Sequence, residues 1–118
     1  MDVIAEKKII FNSSNLYFAL IKLHKGYILL ISDNEKFGLG SISFSTPPLN
    51  DALKSTSSAY QLFGVEHSLL SKMIVEKASY SLKQPVVLFL FLKEREKEKD
   101  LVKSIITTLN EILNEVSQ

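Results

Sequence analysis

Eight consecutive apolar residues, Pro85-Val86-Val87-Leu88-Phe89-Leu90-Phe91-Leu92, run directly into eight charged ones, Lys93-Glu94-Arg95-Glu96-Lys97-Glu98-Lys99-Asp100. The apolar run falls far short of the ~20 residues a helix needs to cross a bilayer. It opens on Pro and is rich in Val and Phe, which predicts a β-strand. Val86, Leu88, Leu90 and Leu92 point to one side of that strand, and Val87, Phe89 and Phe91 to the other. A strand with one wet face alternates apolar and polar, so this one is predicted to be central in its sheet and covered on both faces.

Length and composition bound the rest. At 118 residues the chain is sized for one core, and residues 1–118 are expected to form a single domain. With 46% hydrophobic and 23% charged residues it reads as globular. Fourteen basic against thirteen acidic residues give a net charge of +1, which excludes a generally basic nucleic-acid footprint. The absence of Cys removes disulfides, thiolate zinc sites and cysteine nucleophiles, and fits a reducing compartment. The first eight residues carry acids and lack the apolar stretch of a secretory signal, so a cytoplasmic location is expected. Abundant Lys and Glu without Cys tilts the source toward a prokaryote.

Along the chain, Ile9-Ile10-Phe11 reads as a first strand and residues 12–15 as a turn. Leu16–Leu23 and Tyr27–Ile31 read as a hairpin closed by His24-Lys25-Gly26, the first of them with both faces buried. Residues 32–36 form a polar turn. In Gly38–Ser45, Gly40, Ile42 and Phe44 alternate with Ser41, Ser43 and Ser45, which predicts a strand showing its serines to water. Thr46-Pro47-Pro48 ends it, a long loop over 46–58 follows, and Ala59–Phe63 is a short strand closed by Gly64. A helix over 66–83 carries Leu69, Leu70, Met73, Ile74, Lys77, Ala78 and Leu82 near one side. After the apolar strand, a second helix over about 97–116 aligns Leu101, Ile105, Leu109, Ile112 and Val116, with acids at its N-terminus.

Chemistry-bearing patterns are sparse. His24 sits in the hairpin and His67 at a helix start, without metal-ligand spacing or a paired carboxylate. The three strand serines lack the G-x-S-x-G context of a nucleophile. Gly38-Leu39-Gly40 opens a strand and not a helix, so it does not cradle a phosphate. Asn12-Ser13-Ser14 matches a glycosylation acceptor but reads as a turn. The block 93–100 sums to zero charge and reads as a solvated connection. Met73 and the tyrosines at 17, 27, 60 and 80 are expected in the core or at its boundary, with no basic residues interleaved as in a nucleic-acid stacking platform. No metal or cofactor is expected, and no catalytic residue.

Two strands need cover on both faces while only two helices are available, and both helices fit on one side of a sheet. The remaining cover is a second sheet layer or a partner subunit. This order of elements resembles the small proteasome assembly chaperones of the chaperone 3 and chaperone 4 type. The likeness runs through Tyr27-Ile28-Leu29-Leu30-Ile31-Ser32, Phe37–Ser45, Tyr60-Gln61-Leu62-Phe63-Gly64, the helix to Lys83, Pro85–Leu92 and the terminal helix, covering nearly the whole chain.

The resemblance implies an α+β domain: an antiparallel β-sandwich-like core of about six strands with two main helices. It implies a non-catalytic, archaeal-type chaperone that binds proteasome α-subunits during assembly of the 20S α-ring, as a homodimer or paired with a paralogue. No small-molecule, nucleic-acid or membrane partner is expected. The chain ends Glu115-Val116-Ser117-Gln118, without the hydrophobic-Tyr-X tail by which another class of assembly factors docks in α-ring pockets. The α-subunit surface is expected around the turn 33–37 and the loop 46–58, at Asp33, Glu35, Lys36, Leu49, Leu53 and Lys54. A dimeric scaffold of the roadblock or longin-like kind is the alternative, and strand pairs around one internal helix fit it less well. A small hydrolase or isomerase requires an acid-base pair that the sequence does not show.

Overall fold

The computed structural model of this chain describes residues 2–11, 14–33, 40–47, 56–61, 68–92 and 98–116. In chain order its elements are β1 (Asp2–Phe11), β2 (Ser14–Leu23), β3 (Gly26–Ser32), β4 (Ser41–Thr46), β5 (Thr56–Gln61), α1 (Ser68–Leu82), β6 (Val86–Phe91) and α2 (Glu98–Val116). The six strands form one sheet in the order β1-β2-β3-β6-β4-β5. The class is α+β as expected, but the expected sandwich is not found within one chain, because every described strand belongs to the same sheet. Nor is that sheet purely antiparallel: β3 and β6 pair in parallel. The chain leaving β3 passes through β4, β5 and α1 before returning as β6, a crossover long enough to bring a strand back in the same direction.

Paired residues share a face, so the register defines the layers. Three rungs cross the sheet beneath the helices: Phe18-Ile31-Leu90-Ser41, Leu20-Leu29-Leu88-Ser43 and Lys22-Tyr27-Val86-Ser45. All of these except Lys22 are buried. Lys22 Nζ lies at the sheet's end, 3.3 Å from the Tyr27 hydroxyl and 4.7 Å from the ring centre. Leu101, Ile105, Leu109, Ile112 and Leu113 of α2 and Leu70, Ile74, Val75 and Ala78 of α1 complete the core. Each buried Leu, Ile or Val among these contributes about 1.5–3 kcal/mol by leaving water. The stripe expected on α2 is the one that packs, with Val116 half-buried at its end. On α1 the buried face is rotated from the expected one. Met73 and Lys77 are exposed, and Ser71, Val75 and Ser79 are buried instead.

Three local expectations change. The first strand occupies Asp2–Phe11, longer than its apolar cluster, because β2 pairs with it along its length through a bulge between Val3 and Ala5. Thr56, Ser57 and Ser58 belong to β5, not to the loop before it. In β4 the faces are reversed. Ser41, Ser43 and Ser45 are buried under α1, and Ile42 and Phe44 point to the other side. Alternation alone says that one face of β4 is polar; the helix packed over it decides which face is buried.

The ends of the β3–β6 pair are pinned by backbone. Tyr27 N–H donates to the Pro85 carbonyl at 3.0 Å, and Asp33 N–H to the Phe91 carbonyl at 3.1 Å. Gly26 reaches this geometry at φ +156°, and a Cβ there would stand 2.8 Å from the Pro85 carbonyl oxygen. Lys83 caps α1 at φ 57°, where its N–H donates to the Ser79 carbonyl at 2.8 Å. Gly26→Ala is expected to lower the stability to urea by roughly 1–3 kcal/mol, through lost glycine freedom and the clash with Pro85. Lys83→Gly should raise it by about 1 kcal/mol, since glycine occupies the left-handed cap without a Cβ penalty. Unchanged urea midpoints would show that neither backbone position is constrained as described.

Candidate functional site: the open face of the sheet

Both helices cover the same side of the sheet. Its opposite side carries rungs as apolar as those of the core: Ala19-Leu30-Phe89-Ile42 and Ile21-Ile28-Val87-Phe44, with Tyr17-Ser32-Phe91 beside them. Leu30, Phe89, Ile42, Ile21, Ile28, Val87, Phe44 and Phe91 are half-buried, shielded by one another within the sheet but, among the described residues, by no helix or strand above them. No charged residue lies among these rungs. Charge enters this face on β1, where Lys8 Nζ sits 5.7 Å from the centre of the Tyr17 ring and Glu6 pairs with Ala19. Ile10 of β1 is 78% exposed. A contiguous uncharged apolar face makes this side of the sheet the candidate interaction surface.

The β1 edge is different in character. Lys7 points to the helix side, where its Nζ lies 2.8 Å from Glu115 and 3.5 Å from Glu111 of α2. The hydrogen bond to Glu115 leads in raising the Lys7 pKa above the ordinary lysine value. On the outer surface of the helices, α1 and α2 leave an open groove of about 610 Å³ with Met73, Lys77, Tyr80, Asn110 and Asn114 on its walls. Met73 and Tyr80, expected in the core or at its boundary, are 47% and 69% exposed there. Tyr27 is a core residue and Tyr17 is half-buried.

Of the residues expected at the α-subunit surface, Asp33 follows the end of β3 half-buried, with its backbone clamped to β6. Glu35, Lys36, Leu49, Leu53 and Lys54 lie outside the described residues, as does His67. His24 is exposed at the tip of the β2–β3 hairpin. Among the described residues no cluster of His, Cys, Asp or Glu could hold a metal ion, and no helix is long and apolar enough to cross a membrane. The site residues expected from the sequence do not include the open face, although its signal is present there: the second apolar side of Pro85–Leu92, together with Ile42 and Phe44.

One sheet with both helices on one side and an apolar face on the other defines an α+β fold. The same fold occurs in the crystal structure of a novel chaperone complex for yeast 20S proteasome assembly. A chain of that complex superposes with a TM-score of 0.60 over 95% of this chain and 92% of its own length, at 11% sequence identity. At that identity the likeness is one of fold. No protein-family model and no curated protein matches the sequence.

Proposed function

We propose that this chain is a non-catalytic chaperone that binds proteasome α-subunits and assists assembly of the 20S α-ring in the cytoplasm, as an archaeal-type homologue of the yeast assembly chaperones. The likeness in fold to the yeast chaperone complex carries the reading. The open face of the sheet supports it, because a protein that works by binding energy alone needs surface and not a catalytic constellation. In this reading the open faces of two copies stack at the usual ~10 Å between packed sheets, so the sandwich is completed between chains. A net charge of +1 and the uncharged central rungs oppose no self-association. Pairing with a paralogue would use the same face.

The client then meets a surface that dimerisation leaves free. That surface is assigned to Asp33, Glu35, Lys36, Leu49, Leu53 and Lys54. It holds one α-subunit in the orientation its neighbour requires and is displaced when later subunits occupy the same space.

Native mass spectrometry of the protein alone should show a dimer. Phe89→Glu, which places a carboxylate at the centre of the stacked faces, should weaken that dimer about 100-fold, close to 3 kcal/mol. A monomeric wild type, or a variant that dimerises unchanged, would reject the stacked-face dimer. Mixed with recombinant proteasome α-subunits from the same source, the wild type should capture a free α-subunit and leave the completed particle. Leu53→Ala and Lys54→Ala should weaken that capture with the dimer intact. A dimer that ignores every α-subunit would overturn the chaperone reading and favour a roadblock or longin-like scaffold.

A further inference from the structure

The side of the sheet under the helices is not packed uniformly. β2 contributes Leu16, Phe18 and Leu20 to the apolar core, β3 Tyr27, Leu29 and Ile31, and β6 Val86, Leu88 and Leu90. At the same layer β4 contributes Ser41, Ser43 and Ser45, which are 3%, 0% and 0% exposed. No described residue of β4 belongs to the apolar core. Opposite them α1 presents Ser71, Val75 and Ser79, each four residues apart. Four helical residues rise about 6 Å and two strand residues about 6.7 Å, so these side chains meet in step.

The first and third steps are hydrogen bonded: Ser41 Oγ lies 3.0 Å from Ser71 Oγ, and Ser79 Oγ donates to Ser45 Oγ at 3.0 Å. The Glu76 carbonyl, 3.2 Å from Ser79 Oγ, is a second acceptor for the same hydroxyl. At the middle step Ser43 Oγ is buried with no hydrogen-bond partner among the described residues. Val75, at the corresponding position of α1, offers none.

We propose that the β4–β5 hairpin is a separately opening unit, held beneath α1 by this serine seam, whose release precedes unfolding of the rest of the sheet. Water supplies hydrogen bonds to all five seam hydroxyls when the hairpin leaves, including the one that Ser43 lacks in the closed state. On the helix side release uncovers Val75 of α1 and the flanks of Val86, Leu88 and Leu90 of β6, but no apolar side chain of β4 itself. On the other side Ile42 and Phe44 are already half-exposed in the single chain. What opposes release is the backbone ladder from β4 to β6, Ser41↔Leu90 through Ser45↔Val86, together with α1 lying across both strands. The opened state leaves β6 paired on its β3 side and bare on the other.

Residue-resolved native-state hydrogen exchange in low urea tests this. Amides of Ser41–Thr46 should exchange at least about tenfold faster than those of β3 and the middle of α2, with a shallower urea dependence. Ile105→Val, in the core under α2, should accelerate β3 and α2 exchange by roughly three- to tenfold and leave β4 unchanged. Ser43→Ala should slow β4 exchange, since the closed state then buries one unpaired hydroxyl fewer. The measurements belong at two protein concentrations, because a partner over Ile42 and Phe44 would also protect β4; the comparison at the lower one stands whether or not the proposed dimer exists. Uniform exchange and urea slope across β3, β4 and α2, or acceleration of β4 by Ile105→Val equal to that of β3, would overturn the proposal.

Discussion

β6 is apolar on both sides, and the described helices cover only one of them. Val86, Leu88 and Leu90 are buried beneath the helices, whereas Val87, Phe89 and Phe91 face outward, half-buried. Because β6 pairs in register with β3 and β4, its two sides become the two sides of the whole central sheet. The helix layer, the core and the bare face are three consequences of that one strand. Under the proposed dimer, a substitution on its outer side bears on association, and one on its inner side on folding.

Much of this was legible in sequence, and what was not has a common physical origin. The apolar run, the hairpin around Gly26 and the α2 stripe are local patterns, set by side-chain period and turn chemistry. The parallel pairing of β3 with β6 was not legible, since register between strands so far apart in the chain leaves no local mark. Nor was the burial of Ser41, Ser43 and Ser45: a polar-apolar alternation is identical whichever face is inside, and only the helix above it breaks the tie. On α1 the same ambiguity moved the expected face by a position or two, toward Met73 and away from Val75. The sandwich expected from two-faced strands is not found, because the described strands form one sheet and the helices cover one of its sides. The proposed α-subunit contacts fall where the sequence reads as turn and loop, and of them only Asp33 is among the described residues, serving the β3–β6 clamp through its backbone.

The serine seam and the open face are linked through β4. A strand that buried Leu or Val toward α1 while also presenting Ile42 and Phe44 outward would be held by apolar packing on both sides, as β6 is once partnered. With serines inside, its outward residues carry a larger share of what fixes it. Under the proposed dimer, covering Ile42 and Phe44 would then steady the hairpin as well as bury apolar area. Ser43, buried without a partner among the described residues, marks the weakest step of that seam.

The way the surfaces divide also argues for how an assembly of this chain would close. Sheets grow sideways through unprotected edges, and stack through unprotected faces. β1, the edge strand beside β2, carries Glu6, Lys7 and Lys8 at its middle, a bulge between Val3 and Ala5, and a lysine turned inward to Glu111 and Glu115. Charges, bulges and inward-pointing ionic groups are the devices by which an edge is kept from pairing. The face, in contrast, has no charge on its central rungs. Head-to-tail pairing of β1 with the β5 edge of another copy would extend a sheet without closing, whereas stacking of two faces uses up the apolar surface of both partners and stops at two. At β1 the chain guards the edge that such an open assembly would use, and it leaves uncharged the face whose stacking closes.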